Sequence, residues 1–342
     1  MKLSQLNRRR WALFRSNKRG IISAAVLGSV IFVSLFAELL CNSRPIVAKY
    51  DGNLYFPVFK SYPETTFGGV YESEADYRDP FVADALKANG NWAIWPPVRF
   101  DYQYVDTTLG RPSPASPYGD HWLGTDDRAR DVLARLVYGF RLSVVFGMTL
   151  AVFGSILGIV IGAVQGYVGG KFDLFCQRIT EVWSSQNELY LLIILSAMLE
   201  PSITLIFVLL SLFGWMGLSA YVRAEFLRAR QYDYVQSAIA LGGSRQRVMW
   251  QHILPNAMTP VITFFPFRVS SGIMGLTALD FLSLGVPPPT ASLGELLAQG
   301  KANLSSWWII IAVFIVITMT IMLLNFVGEA LQKAMDPNSV LR

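Results

Sequence analysis

Charge is scarce in this 342-residue chain: Asp, Glu, Lys and Arg make up 15% of it, against about a quarter in an ordinary soluble domain. Hydrophobic residues reach 53%. That imbalance excludes a disordered chain and a soluble enzyme built on one compact core. Cysteine is nearly absent. The two present, Cys41 and Cys176, supply neither a disulfide framework nor a thiolate metal cluster. Histidine is equally rare, and His121 and His252 fall on opposite sides of the membrane in the topology derived below, so no histidine metal site is expected. A phosphate loop is missing too. Such a loop needs a Gly-Lys pair followed by Ser or Thr, whose hydroxyl holds Mg²⁺; Gly170-Lys171-Phe172 and Gly300-Lys301-Ala302 lack that hydroxyl. The chain is therefore expected to bind no cofactor of its own and to hydrolyse no nucleotide.

What the chain has instead is long apolar runs. About 20 such residues, rising 1.5 Å each, cover the ~30 Å of bilayer hydrocarbon. Residues 21–40, 142–164, 203–222 and 307–327 meet this requirement; the last three contain no charge, and the first carries only Glu38 at its end. Residues 257–282 form a fifth span interrupted by Pro260, Pro266, Arg268 and Asp280. A sixth is short: residues 189–199 lie between Glu188 and Glu200, and must recruit 179–187, including Ser184, Ser185, Gln186 and Asn187. The reading is an all-α integral membrane protein of six transmembrane helices.

Basic residues near span ends set the orientation. The first twenty residues hold Lys2, Arg8, Arg9, Arg10, Arg15, Lys18 and Arg19 with no acid, and Arg223, Arg228, Arg230, Arg245 and Arg247 cluster between the fourth and fifth spans. Both clusters are placed in the cytosol. The net charge of +5 is then an orientation signal, and no nucleic-acid partner is expected. Residues 1–20 form a cytosolic basic N-terminus, 21–40 the first span, and 41–141 an external, periplasmic loop ending in an amphipathic helix. Residues 142–327 form a five-helix core containing a cytosolic loop at 223–256, and 328–342 a cytosolic C-terminus. The first span is kept as a permanent helix rather than a signal peptide, because its apolar run is long and no small-x-small cleavage site follows.

The loop at 41–141 differs in composition. It is rich in aromatics and turn formers, and its acids and bases nearly balance. Residues 47–59 alternate loosely enough for a hairpin around Asp51-Gly52-Asn53, and Pro112, Pro114 and Pro117 mark an extended linker. A small subdomain of short strands is expected, acting either as a packing cap or as a docking surface for a soluble partner. After it, Thr125 or Asp126 is a suitable N-cap for a short helix whose Val132, Leu133, Leu136, Val137 and Phe140 share one face. Next to a span, such a helix is expected to lie in the membrane interface.

The loop between the fourth and fifth spans is the most informative stretch. Small residues Ser237, Ala238 and Gly242 recur at helical spacing, so another backbone could approach closely. Gly242-Gly243 should end one helix, Ser244 can cap a second, and Pro255 should terminate that second helix. The result is a helix–turn–helix elbow projecting into the cytosol.

Gln236-Ser237-Ala238, three residues, Gly242, nine residues, then His252-x-Leu254-Pro255 resembles the signature loop of ABC-importer permeases, which reads Glu-Ala-Ala, three residues, Gly, nine residues, Ile-x-Leu-Pro. Gln236, Ser237 and His252 depart from that pattern. His121-x-Leu123-Gly124-Thr125-Asp126 with Arg130-Asp131-Val132-Leu133, Phe281-Leu282-x-Leu284-Gly285-Val286-Pro287, Leu293-Gly294-Glu295-Leu296 and the tail Asp336-Pro337-Asn338 are similar to the C-subunit type of dipeptide and oligopeptide permeases. Tyr50-Asp51-Gly52, Tyr55-Phe56-Pro57 and Phe67-Gly68-Gly69 look like the Yej-type branch, whose relatives import oligopeptides and microcin C. Asn187 and Ala129 depart, standing where relatives carry proline and glycine. The resemblance implies type I ABC-importer permease architecture in a bacterial inner membrane, surrounded by lipid. It also implies a second homologous permease subunit, cytosolic ABC ATPase subunits that carry the ATP and Mg, and a periplasmic peptide-binding protein. Gln236, Ser237, Ala238, Gly242, Gly243, Leu254 and Pro255 become the candidate ATPase-coupling residues, and His121, Gly124, Thr125, Asp126, Arg130 and Asp131 the family's entry motif.

Arg268 is the one basic residue within a span, and a functional candidate for that reason. Asp280 lies twelve residues on, about 18 Å along a helix, so the two do not pair. Either Arg268 satisfies groups inside the bundle, or it faces the translocation pathway with Gln186 and Asn187 and meets a peptide carboxylate. The rival function is a proton-coupled secondary transporter or channel. No inverted repeat and no paired intramembrane carboxylates support it.

Overall fold

A computed structural model describes residues 5–88 and 90–336. Lys2 of the basic N-terminus and Pro337 and Asn338 of the tail motif lie outside the described residues. The chain is predominantly helical. It opens with α1 (Gln5–Ser16) and α2 (Lys18–Leu35). Between them Asn17 caps α2, its Oδ1 accepting the Gly20 amide at 3.2 Å. A single turn, α3 (Ala37–Leu40), leads out of this helix.

The following segment carries β1 (Val47–Tyr50), β2 (Asn53–Tyr55), α4 (Pro80–Ala85) and β3 (Trp92–Ile94). The hairpin expected at Asp51-Gly52 forms: Tyr50 faces Asn53, and both turn residues take positive φ, 48° and 78°. That turn suits the right-handed twist of paired strands. Strand β3 then joins the other edge of β1, giving the antiparallel order β2-β1-β3. Behind the sheet Phe67 is fully buried among the rings of Tyr50, Tyr55 and Tyr77, with centroids 5.3–5.5 Å away. Burying one such ring contributes ~2–3 kcal/mol, so this segment has a core of its own. A second cluster, including Cys41, Phe100, Ala134 and Tyr138, joins it to the helices.

Helix α5 (Val132–Val168) runs unbroken for 37 residues. No separate amphipathic helix lies ahead of it. Val132, Leu136 and Phe140 are buried, but so is Arg135 on the opposite face, so both faces are covered by protein. The cap is Asp131, whose carboxylate accepts the Ala134 amide at 2.8 Å; Thr125 and Asp126 lie too far upstream.

Beyond it come α6 (Gly170–Ser184), α7 (Glu188–Met198), α8 (Ile203–Gly214) and α9 (Met216–Ala229). Glycines at every fourth position of α5 set the central contact. A methyl group on Gly158, Gly162 or Gly166 would sit 3.0, 2.5 or 2.5 Å from the carbonyl oxygens of Trp215, Ser219 and Arg223. Small residues at this spacing let two helices meet backbone to backbone where apolar burial gives no driving force. Arg223 then pins α9 to α6, its Nε 2.5 Å from an Asp173 carboxylate oxygen.

The chain closes with α10 (Asp233–Ala240), α11 (Arg245–Arg247), a π-helical stretch (Val248–Ile253), α12 (Leu254–Ala257), α13 (Thr259–Phe281), α14 (Leu293–Ala302) and α15 (Trp307–Met335). Among the described residues, five helical stretches are long and apolar enough to cross a membrane: Lys18–Leu35, Val132–Val168, Ile203–Ala229, Thr259–Phe281 and Trp307–Met335. Where the sixth span was expected the structure has two shorter helices, α6 and α7, separated at Ser185-Gln186-Asn187. Those polar side chains compete for backbone groups, and Asn187 starts a new helix by accepting the Leu189 amide at 3.0 Å.

Candidate functional site

The expected functional residues fall into three places. The first is the elbow between α9 and α13. Val235, Val248, Ile253 and Ala257 bury their side chains against Phe226 and Val222 of α9, which fixes the elbow to the bundle. Its outer surface is open. Gln236, Ser237 and Gly242 are exposed, and Leu241 at the tip is 89% exposed. Gly242 takes φ +79°, where L side chains are strained, and nothing lies within 4 Å of where its side chain would begin. Ser244 accepts the Arg247 amide and starts the second leg.

Pro255 does not terminate that leg. The helix passes through it, because the preceding turn loosens to π geometry and the Leu254 amide reaches back to the Met249 carbonyl. Pro255 then opens α12, and the π-type bond from the Leu254 amide carries the chain past its missing N–H. Gln236 folds back, its amide donating to the Arg230 carbonyl at 2.8 Å. Two residues not anticipated from the pattern tie the legs together: Asn256 donates to the Tyr234 hydroxyl at 3.3 Å.

A second site is a cavity of about 520 Å³ lined by Ser184, Gln186, Glu188, Gly214, Arg268 and Ser271 among others. The break between α6 and α7 thus meets Arg268 of α13 in one chamber. Asn187 is not among its lining residues; its side chain is taken up by the α7 cap. The Arg268 guanidinium reaches so close to Gly154 that an added methyl there would lie 2.4 Å from a terminal nitrogen. Its Nε is buried without a hydrogen-bond partner. Asp280, as expected, sits elsewhere: it accepts the Val286 amide at 2.8 Å and the Ser292 hydroxyl, and shapes the Leu284-Gly285-Val286-Pro287 turn.

The third place is a buried charge network that gathers the whole entry motif. Asp126 accepts Arg130 Nε at 2.7 Å and lies 3.4 Å from Arg135 Nε. Both arginines reach Glu295 of α14, at 3.3 and 2.5 Å. Thr125 Oγ1 accepts the Ala115 amide, and the Gly124 carbonyl accepts the Val132 amide. Ala129 holds φ +61°, a conformation that costs a residue other than glycine ~1–2 kcal/mol; a glycine there would be free of strain. Arg135 was not anticipated as a network residue. The signal available was its position four residues after Asp131 on a helix next to a span, where an unpaired charge would be costly.

His121 completes the network, its ring nitrogens 2.8 Å from Asp131 and 3.2 Å from Asp106. Burial pushes the imidazole pKa down, but hydrogen bonds and charge from Asp131 and Asp106 outweigh it and hold the group above the ordinary histidine value. A raised folded-state pKa contributes stability fully below the unfolded value of about 6.5, and loses it as pH rises through the folded value. The melting temperature of the chain in nanodiscs should therefore fall as pH rises above about 6.5, and His121→Gln should flatten that dependence. An unchanged slope in the variant would show that another group carries it.

Stacked apolar helices, a polar break facing an intramembrane arginine and a projecting elbow define a multi-pass membrane component of a transport system. The chain belongs to the family described as binding-protein-dependent transport system inner membrane component, which matches residues 154–339. It is 45% identical over 340 residues to the inner membrane ABC transporter permease protein YejE of Escherichia coli (strain K12), covering 99% of both chains. It is 43% identical to the peptidoglycan transport system permease protein YejE of Agrobacterium fabrum, covering 99% of this chain and 95% of that one. The oligopeptide transport system permease protein OppC of Haemophilus influenzae is 34% identical over 70% of this chain and 78% of its own length. The chain is a permease subunit of an ABC transporter and not itself an enzyme.

Proposed function

We propose that this chain forms one half of the translocation pathway of a bacterial inner-membrane importer for oligopeptides or peptide-like compounds. A second, homologous permease supplies the other half, cytosolic ATPase subunits dock on the elbow, and a periplasmic binding protein delivers the substrate. Relatives named for oligopeptide, dipeptide and peptidoglycan transport support the substrate class, and microcin C uptake belongs to the same reading. The pair α6–α7 crosses as a broken sixth span, and both termini are cytosolic. Residues 41–131 then stand in the periplasm.

The elbow carries this reading. An apolar, glycine-hinged tip with Leu241 almost fully exposed, rooted in the bundle through Val235 and Val248, is a handle for an external motor. A docked subunit that shifts it moves α9 and α13 together. Arg268, with an orphan nitrogen beside a 520 Å³ cavity, is the group that meets a substrate carboxylate; Gln186 offers it a neutral donor. In the assembled complex Arg268→Glu should lower uptake of anionic peptides at least about tenfold, the effect of one lost charge-assisted hydrogen bond of ~1.5–3 kcal/mol, while the ATPase still co-purifies. Unaltered uptake contradicts the pathway role, and failure of any ATPase to co-purify with the wild-type chain contradicts the whole reading.

A further inference from the structure

The segment between α3 and α5 holds a cavity of about 530 Å³ that the transport reading does not use. Its lining includes Arg78, Lys87, Arg99, Trp92 and Trp95, with Asp120 as its one acid. The two arginines are held by rings rather than by carboxylates. Arg78 lies 4.2 Å from the Phe100 centroid and 4.8 Å from that of Tyr104, and donates one N–H to the Arg99 carbonyl at 3.1 Å. Arg99 lies 5.5 Å over Trp95. Among the described residues neither has an acid within ion-pair distance, whereas Arg44 of the same segment takes Glu74 at 2.7 Å. Lys87 reaches only Asp84, at 3.9 Å, with both side chains about four-fifths exposed.

Cation–π contact orients a guanidinium while leaving its N–H edge available, and that planar edge matches a carboxylate bidentately. Trp92 is 42% exposed and offers a flat apolar wall beside those charges. The volume lies in the range of sites that enclose small ligands. From this arrangement we infer that the cavity is a second binding site, outside the membrane core, for a peptide-like anion carrying an aromatic group beside its carboxylate. It does not rest on the transport reading, because binding requires neither a partner subunit nor ATP.

The test is calorimetric titration of the full chain in phosphatidylcholine nanodiscs. The probes are N-acetyl-alanyl-phenylalanyl-glutamate and its neutral counterpart, N-acetyl-alanyl-phenylalanyl-glutamine amide. The acidic peptide should bind at least about tenfold more tightly than the neutral one, and more weakly as salt is raised. Arg99→Gln combined with Lys87→Gln, two side chains not needed for the core, should weaken binding about tenfold with an unchanged melting temperature. Trp92→Ala should weaken it also. Equal affinity for the two peptides, full affinity in the double variant, or no binding at millimolar peptide would overturn the inference.

Discussion

Replacing Gly242 by tryptophan is expected to abolish coupled uptake while leaving the bundle folded. Gly242 ends α10 at φ +79°, and nothing lies within 4 Å of where its side chain would begin, so the first atoms of an added side chain enter open space. The backbone conformation costs a tryptophan ~1–2 kcal/mol, confined to an exposed turn whose anchors, Val235 and Val248, lie on either side. What the indole does meet is whatever seats against Leu241. Uptake by the assembled complex should fall at least about tenfold, the consequence of ~1.4 kcal/mol lost from docking, and ATP hydrolysis should no longer respond to substrate. Gly242→Asn is the control, because asparagine tolerates the left-handed region and stays small; it should keep most of the uptake. Wild-type coupling in the tryptophan variant would remove the elbow from the mechanism.

Arg135→Gln should be the most destabilising substitution of a charged residue in the chain. Arg135 is 0% exposed. It donates to the Tyr102 carbonyl at 3.1 Å and to Glu295 at 2.5 Å, joining the segment before α5 to α14. Breaking a buried pair from one side costs ~3–5 kcal/mol, because the partner charge stays behind. Arg130 still reaches both Asp126 and Glu295, and Glu295 is 20% exposed, so the loss should lie near ~3 kcal/mol, toward the lower end. Thermal unfolding in nanodiscs should show a fall of about 4 °C. Adding Glu295→Gln should recover part of it, since only one of the two carboxylates left around Arg130 is then charged. A variant as stable as the wild type would mean that the network contributes nothing to holding α14 in place.

The membrane helices were legible because a bilayer leaves so few alternatives: charge-free runs at 142–164 and 307–327 fall inside α5 and α15. The hairpin was legible for a similar reason, since Asp51-Gly52 between alternating residues has few other uses. Helix ends were harder. Asp126 and Asp131 are equally good caps by residue type, and the choice fell to the ion network, which occupies Asp126 with Arg130 and Arg135. At Pro255 a local rule gave way to a π turn that nothing in the residue pattern signals. The weak sixth span gave its own warning. The polar run Ser184–Ser185–Gln186–Asn187, which a sixth span had to recruit to reach its length, is where the helix breaks and where the cavity opens. The glycine ladder of α5 was equally visible in the residues and went unread, because its meaning depends on which helix lies opposite.

The central claim is that this bundle moves solute only when another protein works the elbow. Proteoliposomes holding the purified chain alone, compared with proteoliposomes holding the chain and its co-expressed partner subunits, decide it by measured peptide accumulation. Concentrative uptake should occur only in the assembled complex and only with ATP. Accumulation by the isolated chain on a proton gradient, without nucleotide, would contradict the account.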